Sequence, residues 1–434
     1  MNKITNLSIT RGFQIFQLFR FAALLFTGIL LSKSNIAIQD IGVYEGLIFI
    51  SGAVSFFWVN GILNGLLSQY KKEEINRNVY FFNTALLLVF MSIILILIMT
   101  VFSQTVAHFL PSTTQRIYGL MLIYIFLNNP TFLIEHIFLL KENTMGLLMY
   151  GILHTVAYIS AVLIPVWMGW EIEFVFYGLI LLSIFKNSYL GILIYKENVF
   201  KINKKVLVDL LSYSTPLIFS FALAGSAEYI DGLLVASHFG SDQFAIFRYG
   251  ARELPLAVLL SSSLSSSFIP RLSQNNLRSE LSNLKAESLK LMNLLFPITI
   301  LLVCFSHWLY PLIFRAEFSA SAPIFNTYLL LLVSRVLFPQ TLVLANGKTK
   351  VIMQIAVFEL IINFISSYFL MIKFGIIGIA VGTLIAFYAE KFLLIFFVKR
   401  NLKVNLNEYL AVNRWIIYSL VLFLVYFLTY TLSY

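Results

Sequence analysis

Along the 434-residue chain, long apolar runs alternate with short polar breaks over nearly the whole length. A hydrocarbon core about 30 Å thick takes about 20 apolar residues of helix, and runs of that length recur here. They predict thirteen spans: 11–32, 42–66, 79–103, 115–139, 146–168, 173–196, 208–236, 243–271, 287–313, 320–345, 349–372, 376–399 and 412–432. Transmembrane strands would be half as long and would alternate polar with apolar positions. Leu86–Leu97 (LLLVFMSIILIL) is apolar on every face, so the spans are read as helices.

Composition agrees: 59% of residues are hydrophobic, 12% are charged, and mean hydropathy is +0.87. No soluble domain of this size keeps such a balance in water, so the solvent is lipid. A net charge of +10 would suit a nucleic-acid partner if it formed a surface, but the basic residues punctuate the apolar runs instead. No nucleic-acid partner is expected. With the N-terminus in the cytoplasm, the inner loops hold 20 basic residues, among them Lys3, Lys71, Lys72, Arg77, Lys141, Arg271, Arg278, Lys348 and Lys350. The outer loops hold only Lys33, Arg116, Arg315 and Lys373, which fixes the orientation by the positive-inside rule. The first run is too long for a cleavable signal, carries Arg20 and lacks a small-residue cleavage site, so it is read as a retained helix. Cys304 stands alone within the ninth span, read as a small buried hydrophobe.

The longest polar stretch is 272–286, so no large extramembrane loop is present to build a catalytic pocket. A membrane glycosyltransferase or polymerase is therefore disfavoured, and no enzymatic activity is expected. Two weak registers relate the halves. At an offset of 205, Gly65–Gln69 meets Pro270–Gln274 and Tyr44 meets Tyr249; at 209, Pro130 meets Pro339 and Lys141 meets Lys350. Six spans per half in the same sense suggest two parallel six-helix repeats, a symmetry from which alternating-access transporters are built. The expected architecture is an all-α polytopic membrane protein. Two pseudo-symmetric six-helix lobes, 1–200 and 201–400, surround a central cavity, and 401–434 adds one transmembrane helix.

Ionisable groups in lipid-spanning helices cost at least ~2.5 kcal/mol each near the bilayer centre, so they face protein or a wet cavity. Arg20, Lys186, Arg248, Arg252, Arg335 and Lys391 lie within spans. The first five make a basic interior suited to an anionic substrate, because guanidinium binds phosphate bidentately. The competing reading pairs each with a carboxylate on a neighbouring helix. It is strongest for the hairpin of spans seven and eight, where Glu228 and Asp231 sit at the depth of Arg252 and Arg248. That arrangement could equally be a phosphate clamp gated by the two acids. Glu45 and Glu359 have no evident partner in their own hairpins and are candidates for carrying a coupling H+ or Na+. Glu135, His136, Glu390 and Lys391 lie near cytoplasmic ends and are expected to snorkel. His154 and His307 lack metal-ligand spacing, and neither a metal nor a cofactor is expected. Pro130, Pro255, Pro297 and Pro339 are expected to kink or break their helices.

The stretch from Gly347-Lys-Thr-Lys350 through Asn363 to Phe374-Gly-Ile-Ile-Gly378-Ile-Ala-Val-Gly-Thr383 resembles a block of the polysaccharide transporters in the multidrug, oligosaccharidyl-lipid and polysaccharide (MOP) exporter superfamily. Tyr310–Leu330 and the Pro-Arg-Leu-Ser end of the eighth span resemble the same family. The resemblance implies a MATE-like pair of lobes that flips an undecaprenyl-diphosphate-linked oligosaccharide, an O-antigen or other surface repeat unit, across the bacterial cytoplasmic membrane. It also implies membrane lipids, a polysaccharide polymerase and chain-length proteins as partners. Related peptidoglycan-precursor flippases carry cavity arginines in helices 1, 2 and 8. Here Arg20 and Arg248 or Arg252 match two of these, while the second span offers Glu45. That departure and the lack of a fourteenth helix argue against the peptidoglycan branch. A cation-coupled multidrug exporter of the same superfamily is the competing function.

Overall fold

The computed structural model describes residues 9–70, 79–110, 113–196, 200–274 and 277–433. Lys3, Lys71, Lys72 and Arg77 lie outside them, as do the side chains of Glu228 and Arg278. The described residues form helices joined by turns and contain no strand. Eleven of their segments are long and apolar enough to cross a membrane. The difference from thirteen has two causes. Spans 349–372 and 376–399 run as one helical segment, Thr349–Phe397, bent where Gly375 adopts φ 61°. Span 243–271 is broken into Ser241–Gly250 and Pro255–Gln274, the second rich in serine and so less apolar.

The residues divide into two compact units, 1–226 with 236–245, and 227–235 with 246–434. In the first, Ile9–Lys33 lies along Thr144–Trp167, while Gln115–Asn128 and Thr144–Trp167 both pack on Ile172–Tyr195. Phe16, Trp58, Ile62, Phe81, Leu88, Leu133 and Leu147 fill its core. Gly42 lets the helix Ile38–Tyr70 approach the carbonyl of Ser241 so closely that a Cβ would overlap that oxygen. The fourth span is interrupted as its proline predicts. Gln115–Asn128 gives way to a 3₁₀ turn, Asn129–Phe132, before Leu133–Leu140 resumes the helix. Pro130 has no N–H to give, and the side chains of Thr131 and Asn187 donate to the carbonyls of Asn128 and Leu127 at 2.7 and 2.5 Å.

In the second unit, Leu277–Ile313 packs against Pro255–Gln274 and Val412–Ser433. Trp415 Nε1 donates to the Val333 carbonyl at 3.0 Å, and Tyr418 Oη donates to Asn293 Oδ1 at 2.9 Å, tying the last helix into the unit. Pro339 follows a break at 336–338, and Pro255 opens a helix, where its fixed φ suits the first turn. Pro297 stays inside an unbroken helix, so the expected interruption there is absent. On Thr349–Phe397, Phe358, Ile361, Ile365, Phe369 and Ile372 are exposed, while Asn363, Ser367 and Met371 are buried. Residues four apart share a helix face, so one stripe faces protein and the remainder meets lipid.

Candidate functional site

The 3₁₀ turn in unit 1 organises a cationic cluster. Arg20 Nη1, from the first helix, donates to both carboxylate oxygens of Glu135 at 3.0 and 3.2 Å. Lys186 Nζ, from Ile172–Tyr195, donates to Asn128 Oδ1 at 2.9 Å. Both cations lie over the ring of Phe132, at 5.2 Å for the guanidinium carbon and 5.9 Å for the ammonium. Two positive groups thus share one aromatic ring, and one of the two is paired with a carboxylate. Their ion pair is uneven, since the Arg20 side chain keeps 34% of its surface exposed and Glu135 only 7%. The guanidinium is held from one side and open on another. Glu135 and His136 are both buried, with His136 Nδ1 3.0 Å from the Phe132 carbonyl, so the expected snorkelling is replaced by inward packing. Glu45 is also buried, beside a hydroxyl pair in which Tyr44 and Tyr158 approach to 2.7 Å.

Unit 2 carries a cluster of opposite balance. Arg335 donates to Glu253 through Nε at 2.8 Å and Nη2 at 2.6 Å, a bidentate pair stacked on Phe387 at 4.9 Å. Glu253 lies in the non-helical break 251–254, where side chains escape the helical register. Lys391 and Glu390 pair at 2.8 Å and are both buried, so these too do not snorkel. Glu359 interacts electrostatically with Glu390, Lys391 and Arg335 but makes no direct hydrogen bond or ion pair among the described residues.

Among the described residues no ion pair joins Asp231 to Arg248 or Arg252, and the Glu228 half of the predicted hairpin pairing lies outside them. Asp231 Oδ2 instead accepts from Tyr328 Oη and Thr383 Oγ1, each at 2.5 Å. The carboxylate is buried and bonded to hydroxyls on two other helices. Arg252 Nε donates to the Arg248 carbonyl at 3.2 Å, and its guanidinium lies 5.4 Å from the Tyr249 ring centroid. Of the five predicted basic substrate residues, Arg20 and Lys186 are brought together in unit 1, while Arg248, Arg252 and Arg335 belong to unit 2.

Asn128, Phe132, Glu253, Tyr328 and Thr383 were not singled out from sequence. The run Asn128-Asn129-Pro130 held the one local signal for the first two, a polar pair beside a helix breaker. Chemically, the unit 1 cluster gathers a planar guanidinium and an ammonium over one aromatic ring beside a carboxylate, groups of the kind that bind anions.

Several solved structures share the fold. A lipid II flippase MurJ in an inward closed conformation is 17% identical, with 97% of this chain and 98% of that chain covered at a TM-score of 0.67. An outward-facing multidrug resistance MATE family transporter of the MOP superfamily is 13% identical, covering 91% and 94% at 0.55. A MOP superfamily transporter from Pyrococcus furiosus is 12% identical, with the same coverage and TM-score. No curated protein sequence matches. The chain therefore has the all-helical fold shared by the MurJ and MATE transporter structures. Within that class, the family model described as "Lipid II flippase MurJ" matches residues 55–434, and the chain belongs to that family. It is a multi-pass membrane flippase of the lipid-linked-precursor kind, not an enzyme. Its membership also overturns the exclusion of the peptidoglycan branch.

Proposed function

We propose that this protein moves a polyprenyl-diphosphate-linked saccharide from the inner to the outer leaflet of the bacterial cytoplasmic membrane by alternating access, with lipid II as the substrate. The observation that carries the reading is the convergence of Arg20 and Lys186 on Phe132, with Glu135 as their one carboxylate. A diphosphate arriving there meets a guanidinium already aimed by its buried partner and an ammonium that donates to the neutral amide of Asn128. Charge-assisted hydrogen bonds of this kind contribute roughly 1.5–3 kcal/mol each, enough to hold a headgroup that leaves lipid for a polar path. The polyprenyl tail needs no site, because it stays in lipid.

Family membership supports lipid II over a surface-polysaccharide repeat unit. The test is reconstitution of the full chain in proteoliposomes with two fluorescent probes on the same polyprenyl diphosphate, one bearing the peptidoglycan disaccharide-peptide and one an O-antigen-type oligosaccharide. Faster flipping of the first, reduced in Arg20→Gln and in Lys186→Gln, is the expected result. Flipping of only the oligosaccharide probe would transfer the reading to O-antigen export. Flipping of neither probe would overturn it.

A further inference from the structure

In unit 1, the connection entering the seventh span is pinned to another helix. Asn83, fully buried on Val79–Val101, donates through Nδ2 to the Lys201 carbonyl at 3.0 Å and accepts through Oδ1 from the Asn203 N–H at 2.9 Å. Asn203 Oδ1 in turn accepts from the N–H groups of Lys205 and Val206 at 3.0 and 3.3 Å, capping the helix Lys204–His238. Val206 and Leu210 then turn into the core. The backbone from Lys201 onward therefore has a fixed register, and so has the set of side chains that it turns outward.

That outward set is mixed. Lys201, Lys204 and Lys205 are exposed, and so are Phe200 at 55% and Ile202 at 63%. Phe200 meets the rings of Phe82 and Tyr195 at 5.4 and 5.9 Å between centroids, and Tyr195 is itself 67% exposed. Lysines that only set topology need no such apolar company, and in water it would be a liability. The flanking helices place it at the edge of lipid. On Lys204–His238 the exposed Val208 and Leu211 follow the lysines within two turns, and on Ile172–Tyr195 the exposed Ile192 lies one turn before Tyr195. The connection thus sits where acyl chains give way to headgroups.

We propose that Phe200–Lys205 is an interfacial anchor that docks unit 1 on the anionic phospholipid headgroups of the adjoining leaflet, the inner one by the positive-inside pattern. Phe200 and Ile202 enter the acyl boundary and the three ammonium groups meet the phosphates. Charge favours this occupant, since residues 200–210 carry three lysines against one acid, Asp209. The Asn83 bonds order the backbone in advance, so docking costs little conformational entropy. An acidic soluble protein fits less well, because the apolar side chains stand at the membrane edge. The helix Ile172–Tyr195, which ends beside the anchor, carries Lys186, so docking sets the depth of that ammonium in the bilayer whatever headgroup the protein flips.

The test uses the full chain with Phe200→Trp in vesicles of fixed phosphatidylglycerol and phosphatidylcholine content, where only the lipid that carries bromine on its acyl chains is changed. The emission added by the substitution should be quenched more by brominated phosphatidylglycerol than by brominated phosphatidylcholine. Each lysine near an anionic surface contributes roughly a 5-fold preference, so the difference should vanish in the combined Lys201→Gln, Lys204→Gln and Lys205→Gln variant. Equal quenching by the two lipids, quenching by neither, or a difference that survives loss of the lysines overturns the proposal. Sodium chloride and sodium phosphate at equal ionic strength should shrink the difference alike, whereas a stronger effect of phosphate would mean a discrete phosphate pocket and overturn surface docking. The native chain supplies a readout free of substitutions: trypsin should cut after Lys201, Lys204 and Lys205 more slowly in vesicles containing phosphatidylglycerol than in phosphatidylcholine alone, and equal rates count against docking.

Discussion

The pair between Arg20 and Glu135 allows structural and transport roles to be separated by one set of variants. Arg20→Gln leaves a carboxylate with 7% of its surface exposed and no cation at 3.0 Å. Breaking a fully buried pair by removing one partner destabilises by about 3–5 kcal/mol. The Arg20 side chain is one-third exposed, so water screens the pair and about 2–3 kcal/mol is the better figure. Glu135→Gln strands a more accessible guanidinium, which should destabilise by about 1–2 kcal/mol, since a charge that water can reach is cheaper to leave unpaired. The double variant strands nothing, and its stability should return to within about 1 kcal/mol of the native protein.

Transport should not recover with it. If the guanidinium holds a phosphate, its loss removes about 1.5–3 kcal/mol of charge-assisted binding, or roughly 10- to 100-fold in flipping at limiting substrate. The assay pairs unfolding midpoints in detergent with probe flipping in proteoliposomes for all four proteins. A double variant that is both stable and as fast as the native protein would show that Arg20 serves Glu135 and nothing else, and the phosphate role would be withdrawn.

Other substitutions test the scaffold. Phe132→Leu keeps the apolar volume but removes the ring that both cations face, and should weaken flipping by a few fold at about 0.5–1 kcal/mol per cation–π contact, with little change in the unfolding midpoint. Gly42→Ala drives a methyl into the Ser241 carbonyl, so yield of folded protein in membranes should fall sharply. Gly375→Ala meets open space, and only its backbone, at φ 61° and ψ −143°, resists, so a loss of about 1–3 kcal/mol should appear as a drop in thermal stability. Asp231→Ala removes the acceptor of the Tyr328 hydroxyl and turns Thr383 back to the Ile379 carbonyl at 3.3 Å, destabilising by about 1–3 kcal/mol, whereas Asp231→Asn should retain part of this stability.

Most of the helices were legible because a bilayer demands about 20 apolar residues and nothing else in the chain imitates that signal. Pro130 and Pro339, aligned at an offset of 209, both mark helix interruptions, and Gly375 bends the chain within the Phe-Gly-Ile-Ile-Gly segment. The partners inside the helices were far less legible. Arg20 and Glu135 stand 115 residues apart, and no local pattern joins them. The inward turn of Glu135 follows a 3₁₀ segment, whose residues advance by a third of a turn instead of the α-helical step. Facing therefore cannot be carried across Pro130 by counting. Glu253 escaped notice for a related reason, because it sits in a break where no helical phase exists. Glu390 and Lys391 were misjudged on depth alone; adjacent in sequence, they pair with each other and remain buried.

The surplus cation of the unit 1 cluster has an electrical consequence. A diphosphate diester bears one negative charge on each phosphorus, and Lys186, bonded to a neutral amide, can cancel one of them. If the proposed diphosphate binds there and Lys186 moves with it between the two sides, the two phosphates travel with one uncompensated charge. A membrane potential acts on each such charge with about 2.3 kcal/mol per 100 mV, so the negative interior would drive the loaded site outward with half the force that it exerts on the bare lipid. Lys186→Gln should consequently steepen the voltage dependence of flipping while slowing it, a pairing of effects that ordinary loss of affinity does not produce.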